Sequence, residues 1–77
     1  SHMPTIDLDT PVHDLVAQQP AIVDVMVAMG LDGVTDPKLL NTVGRFMTLR
    51  KGAKMKHIAI ADLVQQLQAA GFEVQND

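Results

Sequence analysis

Basic side chains are concentrated in one stretch of this chain, and they are the residues with the clearest chemical potential. Residues 41–56, NTVGRFMTLRKGAKMK, carry five of the six Lys and Arg, two glycines and no acid. Guanidinium and ammonium groups bind carboxylates and phosphates, so the stretch predicts contact with an anionic partner or a small anion. No catalytic triad, paired-carboxylate site or Gly-rich phosphate loop accompanies it, so we expect neither catalysis nor a cofactor.

Metal chemistry has little support in the sequence. The chain has no Cys, which excludes thiol nucleophiles and zinc sites of the Cys type. His13 and His57 are far apart and have no third ligand at helical spacing, so we interpret both as structural and expect no metal site. Asp7 and Asp9 would face the same way in an extended segment. They are interpreted as solvated carboxylates, with a weak cation site as the alternative.

Charge is segregated along the chain more strongly than the net charge of −3 suggests. All Lys and Arg fall within residues 38–56, and all nine acids lie outside that window. The sequence therefore predicts a basic surface on an acidic body, which is either a solvated face or a place where a partner binds. Nucleic acid is disfavoured as that partner, because the stretch has one aromatic residue and no recognition-helix signature, and the net charge of the whole chain is negative.

Length and composition predict one small domain. A chain of 77 residues forms a single core, and 47% apolar residues with two Phe predict that Val, Ile, Leu, Ala and Met fill it. Residues 1–3 resemble the remnant of a cleaved tag, which leaves residues 4–77 as the domain. No signal peptide or apolar run of about 18 residues is present, so we expect a cytoplasmic protein without membrane contact.

Proline positions predict where the first two helices begin. Thr10 and Pro11 fit the N-cap and first position of a helix that ends near Gln18. Pro20 then suits the first turn of a second helix, which runs to about Met29. Apolar residues surround that second helix almost completely, which is typical of the buried centre of a bundle.

Glycines predict where two helices end. Gly30 and Gly71 each precede an apolar residue that could fold back on its helix in a Schellman motif. The last helix, residues 60–70, has the cleanest amphipathic stripe of the chain. Residues 6–8 and 72–74 are extended segments that could pair as a minimal sheet. The predicted fold is thus all-α, a single small bundle of four to five short helices with that pairing at its ends.

The basic stretch is predicted to be a helix-stop-helix connection. Asp36-Pro37 precedes a helix over residues 38–43 that Gly44 would end, and Thr48 is the expected N-cap of a helix over residues 49–56. Gly52 inside that helix is unfavourable by about 1 kcal/mol relative to Ala. Either another element approaches its backbone closely, or the segment is irregular. Four apolar residues are expected to anchor the stretch in the core: Leu40, Val43, Phe46 and Leu49.

Several exact segments of the chain resemble a known family. These are residues 6–12 (IDLDTPV), 14–16 (DLV) and 41–48 (NTVGRFMT), together with Pro20, Gly30-Leu31, Lys51-Gly52-Ala53 and Met55. In them the chain resembles the small helical domain of unknown function numbered 1858, over nearly all of residues 4–74. The resemblance implies an all-helical domain that occurs alone or beside hemerythrin-like and PAS domains. A branch with cysteines is similar to the N-terminal piece of di-iron proteins that repair iron–sulfur clusters. This chain lacks those cysteines, so that chemistry is not carried over.

The leading hypothesis is a non-catalytic regulatory or protein-interaction module, whose partner is another protein or a second copy. An alternative is a sensor that binds a small anion at the start of the helix after Thr48, where backbone N–H groups and two Arg could converge. Exposure of Phe46 and Met47 would favour docking. The candidate binding residues are Arg45, Phe46, Met47, Thr48, Arg50, Lys51 and Lys54.

Overall fold

The computed structural model describes residues 4–76, and this part of the chain contains five α-helices, two 3₁₀ helices and two short strands. In chain order they are β1 (Thr5–Asp7), α1 (Val12–Gln18), α2 (Ile22–Ala28), a first 3₁₀ helix (Asp32–Thr35), α3 (Pro37–Asn41), a second 3₁₀ helix (Val43–Arg45), α4 (Leu49–Met55), α5 (Ile60–Ala69) and β2 (Glu73–Gln75). The all-α prediction is confirmed. The suggested tag remnant, residues 1–3, lies outside the described residues.

The two ends of the domain are joined by a parallel pairing of β1 with β2. Ile6 faces Val74 in the register, and the Leu8 N–H extends the pairing by donating to the Gln75 carbonyl at 3.3 Å. This confirms the predicted minimal sheet. Since parallel strands need a long crossover between them, the whole helical body forms that connection.

The core lies between β1, α1, α2, α4 and α5. Its buried apolar members are Ile6, Leu8, Val12, Leu15, Ile22, Met26, Leu31, Leu49, Ala53, Leu63, Leu67 and Phe72. The prediction that the second helix is buried all round is wrong. Ile22 and Met26 are its buried residues, whereas Val27 is 43% exposed, so α2 packs on the core with one face.

Two predicted helix starts are confirmed and two are wrong. The Asp36 carboxylate caps α3, and the Thr48 hydroxyl caps α4. The start of α1 differs, because Pro11 is its N-cap residue and forms a bridge with Thr48 instead of beginning the helix. Likewise Pro20 lies in a turn before α2, which begins at Ile22.

Both predicted glycine endings are confirmed. Gly30 and Gly71 have φ angles of +86° and +95°, a region in which Gly is favoured. The N–H of the residue after each glycine donates back to a carbonyl one helical turn earlier, that of Met26 at 2.8 Å and that of Leu67 at 3.0 Å. These are the hydrogen bonds of the Schellman motif.

A third ending of the same kind was not predicted. His57 follows α4 with a φ angle of +58°, and the Ile58 N–H donates to the Ala53 carbonyl at 2.8 Å. The sequence carries no glycine signal there, so the pattern could not indicate it. A His in this conformation is strained relative to Gly.

The prediction that Gly44 ends a helix is wrong, because α3 has already ended at Asn41 and Gly44 lies inside the second 3₁₀ helix. Its position has a packing reason. A Cβ atom at Gly44 would stand 3.3 Å from Cδ1 of Leu40 and 3.6 Å from the backbone nitrogen of His13. The distance to Leu40 is shorter than an ordinary contact, so glycine eases the packing of this segment against α3.

An exposed surface and an apolar cavity in residues 32–56

An apolar cavity of about 260 Å³ opens between the end of α2, α3, the two 3₁₀ helices and α4. Its buried and half-buried lining includes Val12, Met26, Leu31, Leu40, Met47 and Leu49, and Leu39, Val43 and Met55 form its exposed side. Asp32, Thr48 and Lys56 are the charged and hydroxyl residues of the lining. The cavity is therefore an apolar site with a few polar groups at its margin.

Exposed apolar side chains are concentrated around this cavity. In residues 4–76, the large apolar side chains with the greatest exposure are Val27 (43%), Leu39 (44%), Val43 (48%), Phe46 (77%) and Met55 (66%). Four of these lie within residues 39–55, and three of the four line the cavity. Val27, on α2, does not line it. One region thus holds most of the exposed large apolar side chains of the described residues.

The predicted core anchors of the basic stretch divide into two kinds. Leu49 is 1% exposed and Leu40 packs against the core, as expected. The expectation is wrong for Val43 and Phe46, which point outward. The reason is that α3 ends early and a 3₁₀ helix follows, so the apolar side chains of the stretch do not share one helical face.

Phe46 is the most exposed large apolar residue in the described part of the chain, and two cations lie next to it. Arg45 precedes it directly, and the Lys51 Nζ donates to the Phe46 backbone carbonyl at 3.4 Å. Arg45 Nε donates to the Asn41 carbonyl at 2.8 Å, which ties the guanidinium to the end of α3. We call Arg45, Phe46 and Lys51 the Phe46 surface.

Met47 and Thr48 differ from Phe46, because they serve the fold. Met47 is half-buried against the core, and its carbonyl accepts the Val12 N–H at 2.8 Å. Thr48 is buried, and its hydroxyl accepts the Lys51 N–H at 3.1 Å as the N-cap of α4. These two predicted binding residues therefore connect α4 to α1, whereas the Phe46 side chain faces solvent.

Arg50 is bound by its own chain. Its Nε and Nη2 donate to the two carboxylate oxygens of Asp9 at 2.8 and 3.2 Å. The hydrogen bond from Arg50 lowers the pKa of the Asp9 carboxyl, and the same bond raises the pKa of Arg50. Asp9 is thus an ion-pair partner as well as a solvated loop residue, and Asp7 accepts the Asp9 N–H at 2.8 Å.

The groups on which the small-anion hypothesis depends are largely engaged. The Arg50 N–H donates to the Leu8 carbonyl at 3.1 Å, and the Lys51 N–H donates to the Thr48 hydroxyl. The Asp9 carboxylate already meets the Arg50 guanidinium at this place. The start of α4 is therefore a junction with the N-terminal segment, and Asp9 takes the role that a bound anion would have.

The other five Lys and Arg residues have no acidic partner within the described part of the chain. Within residues 4–76, no carboxylate oxygen lies within 4.0 Å of the charged nitrogens of Lys38, Arg45, Lys51, Lys54 or Lys56. Lys56 lines the cavity, and Lys54 is exposed on α4 without a hydrogen bond that joins it to the Phe46 surface. Among these five cations, only Lys56 lies in the cavity lining.

The described residues contain neither a cluster of potential metal ligands nor a helix that could span a membrane. Within residues 4–76, His, Asp and Glu do not gather in any group of three that could hold a metal ion. His13 Nδ1 lies 3.2 Å from a carboxylate oxygen of its neighbour Asp14, which is a local contact. None of the helices in that part of the chain has the length and apolarity to cross a membrane.

Comparisons with known proteins support the family resemblance. The sequence model of the family described as "Domain of unknown function (DUF1858)" matches residues 6–64. The crystal structure of the conserved domain protein from Streptococcus pneumoniae TIGR4 is similar, with a TM-score of 0.90 and 31% sequence identity over 97% of this chain and 95% of that chain. No curated protein matches the chain. The matched residues 6–64 include both the cavity and the Phe46 surface.

Proposed function

Since this chain belongs to the DUF1858 family, whose description names no activity, we propose a function from the geometry of its surface: it is a non-catalytic protein-interaction module, and the Phe46 surface docks a partner protein. The observation that carries this proposal is the 77% exposure of Phe46. Isolated exposed apolar residues are common, but here Arg45 precedes Phe46 and Lys51 donates to the Phe46 backbone carbonyl, and the residue lies in the region with the most exposed large apolar side chains.

The energetics of an interface favour this arrangement. Burial of a Phe side chain contributes about 1.5 to 3 kcal/mol, which this chain does not gain in its own fold. Aromatic residues and Arg are also the types that most often dominate binding energy at protein interfaces. Arg45 has further donors beyond the Nε bond to Asn41, so it could bind a carboxylate on the partner.

The partner is expected to carry an acidic surface with a pocket for the Phe46 ring. Arg45 and Lys51 lack carboxylate partners among residues 4–76, so an acidic surface would supply them. Charges of this kind, at the margin of an interface, mainly accelerate association and make it salt-dependent. Binding should therefore weaken as ionic strength rises.

The test is site-specific crosslinking in the source cell, with the photoreactive residue p-benzoyl-phenylalanine replacing Phe46. We expect a crosslink to a partner protein, and we expect this crosslink to disappear when the chain also carries the Arg45→Glu substitution. Two exposed Gln residues on α5 provide the charge-matched control, because Gln65→Glu with Gln68→Glu changes the net charge as much as Arg45→Glu does. Val27 is an exposed apolar residue elsewhere, so the same photoreactive residue at position 27 controls for nonspecific capture.

The captured protein is then identified by mass spectrometry and its affinity is measured. Phe46→Ser is expected to weaken that affinity by about 30-fold or more, as at an interface hot spot, whereas Val27→Ser leaves it unchanged. Equal affinity of Phe46→Ser and the wild type would refute the proposal. A crosslink to a second copy, with a dimer in sedimentation velocity, would make the partner this chain itself.

A further inference from the structure

Gly52 has no role in the fold that explains it. It lies inside α4, which is regular, so the prediction of an irregular segment is wrong. In the described part of the chain, a Cβ atom at this position would meet Cδ2 of Leu31 at 3.6 Å, an ordinary contact, so no other element requires a glycine. Gly is less favourable here than Ala because it loses more backbone freedom on folding. Gly52 does line the cavity, and glycine is typical of places where a ligand approaches a backbone closely.

The shape of the cavity suits the side chains of another chain. Its volume of about 260 Å³ exceeds the roughly 150 Å³ of an apolar cavity that binds benzene. Leu39, Val43 and Met55 on its exposed side are between 44% and 66% accessible, so its occupant would cover a wide opening. Met26, Met47 and Met55 give it flexible walls, which are common in grooves that accept helices.

We propose that this cavity receives the apolar side chains of an acidic amphipathic helix, supplied by the partner that the Phe46 surface docks. The inference rests on the proposed function and names the chemistry of the partner. We infer that the helix is acidic because the elements around the cavity carry cations. Lys56 lines the cavity, and four further cations without acidic partners in residues 4–76 lie on α3, the second 3₁₀ helix and α4. Within the lining Asp32 balances Lys56, so the preference for an acidic helix comes from the four cations on these surrounding elements.

A second copy of this chain suits the cavity less well. The exposed Val27 lies on α2 with Asp24, so an acidic apolar face exists on the same molecule. Contact between that face and the cavity of another copy would join two different surfaces. Such heterologous contacts extend into rings or filaments instead of closing a dimer. In sedimentation velocity, a sedimentation coefficient that keeps rising with protein concentration would favour this occupant over a partner helix.

The test uses a displayed library of helical peptides with randomised surface positions, selected against the purified domain at low salt. We expect enriched peptides to carry net negative charge and apolar residues at i, i+3 or i+4, and i+7. Val43→Glu should weaken the binding of an enriched peptide at least tenfold, because it places a carboxylate at the opening of the cavity. Val27→Glu is the matched control, since Val27 has similar exposure and lies outside the lining. It should change the affinity less than twofold.

Gly52→Leu provides a second blocking variant, with Gly52→Ala as its milder counterpart, and circular dichroism shows that each is folded. Failure to enrich any peptide, or enrichment of neutral and basic peptides, would overturn the inference. So would unchanged binding by both Val43→Glu and Gly52→Leu. A natural partner that crosslinks at position 46 and still binds Val43→Glu would reject the cavity inference alone. A peptide that needs Val43 while no partner needs Phe46 would reject the proposed function instead.

Discussion

Helices α5 and α4 use their apolar side chains differently. In α5, Leu63 and Leu67 are buried, and the Gln residues between and after them face water, so every large apolar side chain of this helix lies in or against the core. In α4, Leu49 is buried in the same way, yet Met55 is 66% exposed. The segment before α4 exposes still more apolar surface. Folding alone therefore accounts for α5, whereas residues 39–55 have an excess of apolar surface that an external partner could cover.

The difference has a geometric origin. The apolar residues of α5 repeat at helical spacing along a single helix, so one face collects all of them. Residues 37–55 are divided into α3, a 3₁₀ helix and α4, so their apolar residues do not repeat along one helix and share no single face. Some must then face outward, and those that do are next to one another around the cavity.

The largest expected effect is a difference in the free energy of unfolding between a substitution in α5 and one in residues 39–55. Leu67→Ala should lower the free energy of unfolding by about 2 to 5 kcal/mol, because it removes a fully buried side chain and leaves a cavity. Phe46→Ala should change it by less than about 0.5 kcal/mol, since the ring is exposed. Urea denaturation followed by circular dichroism measures both. A loss above about 1 kcal/mol for Phe46→Ala would mean that Phe46 belongs to the fold, and the contrast between the regions would fail.

A smaller effect tests the cap that the Thr48 hydroxyl provides for α4. Thr48→Ala removes the hydroxyl that caps α4 and should lower the free energy of unfolding by about 1 kcal/mol. Thr48→Ser keeps the hydroxyl and should retain most of the stability. Unchanged stability of Thr48→Ala would mean that the hydroxyl does not cap α4 and serves only the cavity that Thr48 lines.

The cavity wall offers a stabilising substitution. Gly52→Ala should raise the free energy of unfolding by about 1 kcal/mol, because Ala is the better helix former and its methyl group meets Leu31 at ordinary distance. Gly44→Ala is the matched control. It should raise the free energy of unfolding less than Gly52→Ala does, since its methyl group would stand 3.3 Å from Cδ1 of Leu40, closer than an ordinary contact. A destabilised Gly52→Ala protein would show that Gly52 is required by the fold, and its value as a sign of an occupant would disappear.

The features that could be predicted from the sequence are those set by local signals, and the features that depend on distant residues could not be predicted. Gly30 and Gly71, the caps Asp36 and Thr48, and the stripe of α5 are local signals, and each is confirmed in the structure. The start of α1 depends on a non-local pairing of Pro11 with Thr48, which no local pattern can indicate.

The candidate site was predicted in part for the same reason. Its composition could be read from residues 41–56, but the exposure of Val43 and Phe46 depends on where α3 ends. The ion pair between Arg50 and Asp9 joins residues 41 positions apart in the sequence, so spacing alone could not find it. The cavity was not predicted, because residues of six separate elements form it.

The smallest expected effect concerns that ion pair, which ties the start of α4 to the N-terminal segment. The pKa of Asp9 is lowered below its ordinary value of 3.8 in the folded protein, because Arg50 donates to the charged carboxylate. A carboxyl group with a lowered pKa stabilises the fold above its unfolded pKa, and that contribution is lost as the pH falls through the folded pKa. Carbon-detected NMR titration of the Asp9 carboxyl should give a midpoint below 3.8 in the wild type and near the ordinary value in Arg50→Gln. Lys54→Gln is the control, and it should leave the midpoint unchanged. Equal midpoints in the wild type and Arg50→Gln would mean that Arg50 is not held by Asp9 in solution. Arg50 would then join the uncompensated cations around the cavity, and the acidic helix would have one more group to bind.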